Sequence, residues 1–256
     1  MTIQNTALLI IDVQYDFLPP SGSLAVPNGD EILPIIHNLI DKEKWDWPVI
    51  VASQDYHPKK HISFASSHPP QNPFELLTLT DARGTEYNQT LWPDHCVQGT
   101  RGAEIEYSLK DKLTKWEGDV KLVRKGTHDG LEAYSAFEGY ITDFENPSES
   151  SPERSNEHPG ELRSAEESSL SLCLKERGVH KVVLVGLATD FCVLQTALSA
   201  LSSSFKTLLL GPGIRGISPE DSKNAMDKIQ QLGGKIISGD DGADWENQVD
   251  GWITDG

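Results

Sequence analysis

Cys192 stands in "VLVGLATDFCVLQT" (183 to 196), where an apolar run and a small-residue corner meet a second apolar stretch. If 181 to 188 is a strand and 192 onward a helix, the thiol occupies the first turn of that helix. Unpaired N–H groups and the helix dipole there stabilise a thiolate, below the ordinary pKa of about 8.5. The same donors can hold an oxyanion. The alternative is a small buried hydrophobe beneath the helix, since free cysteines are often simply buried. A nucleophile also needs partners that manage its proton. Asp12 directly follows "ALLII" and Lys125 closes "VKLVRK". Taken singly, the aspartate reads as a loop cap and the lysine as a solvated side chain. Jointly, at strand ends, they would bring a carboxylate, an ammonium and the thiol to one rim.

A second group has the chemistry of a metal site. Asp55 and His57 in "QDYHPKKH" are two apart and share a face of an extended chain. His95 in "WPDHC" could complete a facial set. Two imidazoles and a carboxylate suit Zn2+, Fe2+ or Mn2+ and leave positions open for substrate or water. The D-x-H spacing is a weak signal, and loop histidines at the surface are the competing reading. His61 and His68 read as facing solvent, and His37, His128, His158 and His180 as structural or exposed.

Such residues must be carried by a scaffold. Apolar runs at 7–12, 48–55, 120–125, 180–188, 205–211 and 234–238 read as strands, mostly continuous, as in a sheet covered on both faces. Helical patterns fall at 30–42, about 103–113, 167–177, 192–202 and 219–232. The last has Ser218 as N-cap, Pro219 at the first position, early acids and closing glycines. Their alternation predicts a single three-layer α/β/α domain over residues 1–256 with a mainly parallel six-stranded sheet. Its site should lie outside the carboxyl ends of the strands.

Two segments interrupt the rhythm. Residues 56–100, rich in His and Pro, read as an ordered loop over the site. Residues 142–169 carry eight acids against Arg154 and Arg163, which predicts a solvated, mobile insertion without chemistry.

Composition narrows the function. The formal charge of −17 disfavours nucleic acid, whose phosphates demand clustered cations, and favours a small-molecule substrate. No apolar run approaches the roughly 18 residues of a membrane span. The opening "MTIQNTALLIIDVQ" lacks a basic region before its apolar stretch, so no secretory signal is expected. The expected location is intracellular, in the cytoplasm, with nucleus and peroxisome left open. Cys96, Cys173 and Cys192 form neither an even set nor a paired spacing, which leaves reduced thiols.

Five stretches, "ALLIIDVQYDFLPPSGSLAVPNGDEI", "VASQDYHP", "LWPDHCVQGT", "VRKGTHDGLEAYSAF" and "VVLVGLATDFCVLQTAL", run in order over nearly the whole chain. They resemble the nicotinamidases of the isochorismatase-like cysteine hydrolase superfamily, most of all the fungal type. The resemblance implies a triad of Asp12, Lys125 and Cys192 and one divalent metal, zinc by default, on Asp55, His57 and His95. It implies a cis peptide at Leu187–Ala188 that aims the Ala188 N–H, with that of Cys192, into an oxyanion hole. The implied pocket is Phe17, Leu24, Trp92, Tyr134 and Phe191. The implied reaction converts nicotinamide, and pyrazinamide, to the acid and ammonia through a cysteine thioester, in NAD salvage. Isochorismatases lack the cysteine and carbamoylsarcosine-type amidases lack the metal ligands, so both fit less well. A silent binding protein for a pyridine metabolite is the reading from another class, and a homo-oligomer is compatible with all of these. Two departures stand out: Glu132 and Ala133 in "LEAYSAF", where relatives more often have Asp-Ser, and the longer acidic insertion. Both are expected to lie clear of the triad and metal set and to bear on fine specificity.

Overall fold

The inner strands are apolar or small at almost every position, so each feeds two faces through the two-residue alternation of extended chain. The structure, a computed structural model, describes residues 3, 5–147, 165–239 and 244–255. Along the chain run β1 (Thr6–Ile11), α1 (Leu33–Leu39), β2 (Ile50–Asp55), β3 (Leu76–Thr80), β4 (Glu86–Thr90), α2 (Tyr107–Thr114) and β5 (Val120–Lys125). There follow β6 (Tyr140–Asp143), α3 (Ser169–Glu176), β7 (Lys181–Leu187), α4 (Leu194–Ser202), β8 (Lys206–Arg215), α5 (Pro219–Gln231), β9 (Lys235–Ile237) and α6 (Trp245–Thr254).

On β1, Leu8 and Ile10 enter one core with Ile36 of α1, Leu109 of α2 and Val249 of α6. Ala7, Leu9 and Ile11 enter the other, with Leu174 of α3, Ala197 of α4 and Ile229 of α5. Three layers result, as the chain's alternation predicts. The sheet order is β6-β5-β2-β1-β7-β8-β9, parallel except for β6. The connections diverge to either side of β1, which opens a crevice at the carboxyl edge. Because β5, β2, β1 and β7 are neighbours, their ends bring Lys125, Asp55, Asp12 and the turn holding Cys192 side by side.

The sheet has seven strands rather than six. The extra one, β6, pairs antiparallel with β5, placing Tyr140 opposite Arg124 and Asp143 opposite Lys121. Four residues of alternating burial at a sheet edge give no continuous apolar run, so the sequence pattern passes over them. The helix expected at 30–42 is shorter, because Gly29–Ile32 forms a 3-10 turn ahead of α1. The helix expected from 103 begins at Tyr107, where the Glu106 carboxylate caps it by accepting from the Leu109 N–H at 2.9 Å. Unforeseen α6 is capped by Asp244, which accepts from Asn247 N–H, and buried Lys181 donates to the carbonyls of Trp252 and Ile253 near its end.

The excursion at 56–100 is more built than a loop. It contains the β3–β4 hairpin, and single bridges between His57 and Val97 and between Phe64 and Trp92 fasten it. Of the acidic stretch, Thr142 and Asp143 close β6, Ala165–Glu167 make a 3-10 turn, and 148–164 lie outside the described residues. Among the described residues no helix is long and apolar enough to cross a membrane.

One glycine fixes how closely β7 approaches β1 beneath the site. Gly186 has φ of 123°, and a Cβ there would sit 2.1 Å from the Ile11 carbonyl oxygen. Backbone cannot yield to that extent, and the conformation excludes other residues. Gly186→Ala is therefore expected to cost at least about 2 kcal/mol of stability, read as a lowered urea midpoint.

Candidate active site

Asp12 is the first residue after β1 and has left-handed backbone, φ 50°, which turns its side chain back over the strand ends. Non-glycine residues in that region are uncommon and concentrate where function demands them. Ser53 on the adjacent strand holds Asp12 twice: its hydroxyl donates to Oδ1 at 2.6 Å and accepts from the Asp12 N–H at 3.2 Å. Lys125, only 1% exposed, ends β5 with its ammonium 2.9 Å from Asp12 Oδ2 and paired with Asp55 Oδ1. It also donates to the Ala133 carbonyl at 3.3 Å and lies 3.3 Å from Cys192 Sγ. The lysine is thus a buried bridge among two carboxylates and the thiol, not a solvated side chain.

Cys192 is not in the first turn of an α-helix. It lies in a π-helical turn, Thr189–Val193, that precedes α4, with Ala188 O accepting from the N–H groups of Phe191 and Val193, each at 3.1 Å. Such turns recur at functional sites. The Leu187–Ala188 peptide is cis.

The electrostatics differ from the expectation of a lowered thiol pKa. Burial pushes Cys192 up, Lys125 opposes, and Asp12 and Asp55 add to the rise, which leaves the thiol well above its ordinary value. A helix-end dipole is too weak against full desolvation beside two carboxylates. Burial also raises Asp12, against the pull of Lys125. Lys125 itself, despite burial, is held well above its ordinary value by Asp12, Asp55 and Cys192. The resting cluster therefore pairs a neutral thiol with a fixed ammonium.

The three metal candidates converge. Asp55 Oδ2 lies 3.4 Å from His57 Nε2 and 3.9 Å from His95 Nε2. His57 Nδ1 is 2.9 Å from the Gly126 carbonyl and His95 Nδ1 is 2.8 Å from the Pro93 carbonyl. Carbonyls only accept, so each Nδ1 carries the proton and each Nε2 presents a lone pair toward Asp55 when the ring is neutral. Burial, then His57, pushes His95 down to about 3, so its ring is neutral. Two Nε2 donors steadied by backbone carbonyls, plus one carboxylate oxygen, are the donor set a divalent ion takes. Gly126, φ 62°, permits this: a Cβ would meet His57 Cε1 at 2.3 Å.

Asp55 and His57 share a narrow cleft with Cys192. Phe17, Leu24, Trp92, Tyr134 and Phe191 all line it, together with Ala188, His95, Val26, Glu132 and Ile217. Trp92 meets Phe191 edge to face at 4.9 Å between centroids, and its Nε1 donates to Tyr134 OH at 3.1 Å. Apolar walls with a few converging polar groups are typical of a small-ligand site.

Three expectations change. His61 does not face solvent: it is fully buried, its ring 4.1 Å from that of His57, with Nδ1 on Ser63 Oγ and Nε2 on the Leu131 carbonyl. His68 is half-buried on the Ile62 carbonyl, and His158 lies outside the described residues. Glu132 and Ala133 do not lie clear of the cluster: Glu132 lines the cleft beside His57, and the Ala133 carbonyl accepts from Lys125. Gln14 was not singled out by the sequence pattern. Its buried amide accepts from the Asp55 N–H at 2.9 Å and donates to the Asp55 carbonyl at 2.8 Å, fixing the backbone of that carboxylate. Its place two residues after Asp12 is the only sequence signal for it.

A mainly parallel sheet whose carboxyl edge gathers a thiol, a lysine and an aspartate beside an aromatic cleft is the layout of an α/β enzyme with a nucleophilic cysteine. The isochorismatase domain matches residues 6–143 and 161–241. The chain belongs to this family. It is 33% identical over 244 residues to the nicotinamidase of Escherichia coli K12, covering 94% of this chain and 96% of the relative. Among solved structures, the yeast nicotinamidase superposes with a TM-score of 0.74 at 29% identity, over 91% of this chain and 99% of that one, and that protein is also known bound to the inhibitor nicotinaldehyde. The pyrazinamidase of Pyrococcus horikoshii, in complex with zinc, gives 0.65 at 33% identity, over 91% and 98%.

Proposed function

We propose that this chain is a nicotinamide amidohydrolase that forms nicotinate and ammonia through a thioester on Cys192, serving NAD salvage from the cytoplasm. The carrying observation is Lys125 Nζ, 2.9 Å from Asp12 Oδ2 and 3.3 Å from Cys192 Sγ, at the floor of an aromatic cleft. In this reading the flat ring lies among Trp92, Tyr134 and Phe191, and the carboxamide carbon stands over the sulfur. Asp12 accepts the S–H proton as sulfur attacks, and the N–H groups of Ala188 and Cys192 take the oxyanion. Asp12 returns that proton to the nitrogen as the C–N bond breaks and ammonia leaves. One water, deprotonated by Asp12, then cleaves the thioester and restores the thiol. Lys125 keeps Asp12 ionised between these steps. Asp55, His57 and His95 would hold a divalent ion, which when bound orients and polarises the pyridine nitrogen.

Zinc suits two imidazoles and one carboxylate, and the zinc complex of the Pyrococcus pyrazinamidase supports the same choice. Pyrazinamide carries the same carboxamide on a ring of the same size and is a second substrate in this reading. Nicotinaldehyde, bound as an inhibitor in a structure of the yeast nicotinamidase, carries an aldehyde at the same position, and in this reading the thiol of this chain adds to it.

Ammonia release from nicotinamide tests the proposal. Wild type turns over, and dialysis against a chelator lowers the rate at least about tenfold, with recovery on adding Zn2+. Hydrolysis of other small amides but not nicotinamide would remove the substrate assignment. Inertness toward every amide would favour a binding protein.

A further inference from the structure

Asp190 takes no part in the chemistry above, yet it belongs to the turn that carries Cys192. Its Oδ1 accepts from the Ile217 N–H at 3.1 Å and its Oδ2 from the Ser218 N–H at 2.8 Å. Both donors lie in the segment between β8 and α5, just ahead of the helix that Ser218 caps by accepting from the Asp221 N–H. Ile217 is a wall of the same cleft as Phe191 and Cys192. One carboxylate therefore joins two walls, the turn holding the thiol and the segment holding Ile217. At Gly216 this link leaves no room for a side chain: a Cβ there would lie 1.9 Å from Ser222 Oγ and 2.9 Å from Asp190 Oδ1. An ionised carboxylate can accept from both N–H groups at once, whereas an amide of the same size offers one acceptor oxygen and sets its own N–H2 against the second donor.

We propose that Asp190 is a positioning residue that sets the gap between Cys192 and the Ile217 wall, and so determines how tightly a flat six-membered ring is held over the thiol. The proposal rests on the reading of this cleft as the amide site. Ile217 contacts the ring in ground and transition states alike, so disturbing it removes uniform binding and appears in KM rather than kcat. Losing one charge-assisted hydrogen bond and creating one opposed pair of donors corresponds to about a tenfold effect.

The test is a double-variant cycle on the full chain with nicotinamide. Asp190→Asn is expected to raise KM about tenfold with kcat within about threefold, and Ile217→Ala to raise KM by itself. In the double variant KM should be no worse than in Ile217→Ala alone, because Asp190 acts through that wall. An unchanged KM in Asp190→Asn, a fall in Tm as its sole effect, or effects that multiply in the double variant would overturn the proposal. Should Asp190→Asn fail to fold, Gly216→Ala crowds the same carboxylate and is expected to raise KM likewise; normal KM in that variant overturns the idea equally. If wild type does not hydrolyse nicotinamide, the substrate reading falls by itself. The link is then read from alkylation of Cys192 by iodoacetamide, followed on its peptide. At least a threefold faster reaction in Asp190→Asn, not compounded by Ile217→Ala, supports the link, and equal rates contradict it.

Discussion

Cys192→Ala is expected to lower the turnover of nicotinamide by at least about 10⁴-fold while leaving the protein folded, since the members of a nucleophilic unit fail together. The side chain is 6% exposed, and its sulfur meets Lys125 Nζ at 3.3 Å beside the carboxylates of Asp12 and Asp55. Removing one sulfur leaves a space smaller than most core cavities and costs about 1 kcal/mol. The cleft walls are untouched, so nicotinamide should still bind. Ammonia release and a thermal melt, run side by side, check both halves. Activity within tenfold of wild type would mean that sulfur does not carry the acyl group, and that water attacks directly.

Lys125→Gln should damage stability and activity together. Its ammonium stands between Asp12 and Asp55, both buried, and without it Asp12 faces the Asp55 carboxylate with no cation of its own, whereas Asp55 keeps His57 at 3.4 Å. Breaking a buried pair from one side costs about 3 to 5 kcal/mol, and the site escapes most cheaply by protonating one carboxyl group. Burial already pushes Asp12 up, so Asp12 is the group that takes the proton and ceases to be a base. Turnover is expected to fall by about 10³-fold or more, the order of losing general-base assistance and a fixed charge together. Gln retains a donor for the Ala133 carbonyl, so the loss reports the charge. Lys125→Arg should not rescue, because a planar guanidinium does not fit where a compact ammonium contacts two carboxylates and a thiol. Urea unfolding with kcat measured on the same preparation decides this; a variant as stable and as active as wild type would show that the ammonium is incidental.

The site was legible where a chemical group ends an apolar run. Asp12 after "ALLII", Lys125 at the end of "VKLVRK" and Cys192 after "VVLVGLA" mark strand ends, and parallel strands put their ends on one edge. What the pattern cannot give is which strands are neighbours. The order β5-β2-β1-β7, which places Lys125 against both Asp12 and Asp55, is a property of the whole sheet. Supporting residues escaped for the same reason: Ser53 and Gln14 act across strands, and nothing in their local sequence distinguishes them from ordinary polar residues. His61 looked exposed because its neighbourhood is rich in Lys, Pro and His, while its burial comes from the distant Leu131 carbonyl and the ring of His57. The thiol pKa went the other way because local reasoning weighed the helix end and not the two carboxylates delivered by other strands. β6 is short and alternating, and α2 starts on a glutamate cap, a residue type seldom chosen for that position.

The most direct test of the account is a crystal structure of the protein with nicotinaldehyde. The predicted result is a covalent bond from Cys192 Sγ to the aldehyde carbon, with the ring among Trp92, Tyr134 and Phe191 and the oxygen facing the N–H groups of Ala188 and Cys192. An aldehyde seated in the cleft without a bond to that sulfur, or bound away from it, would contradict the claim that Cys192 takes the acyl group.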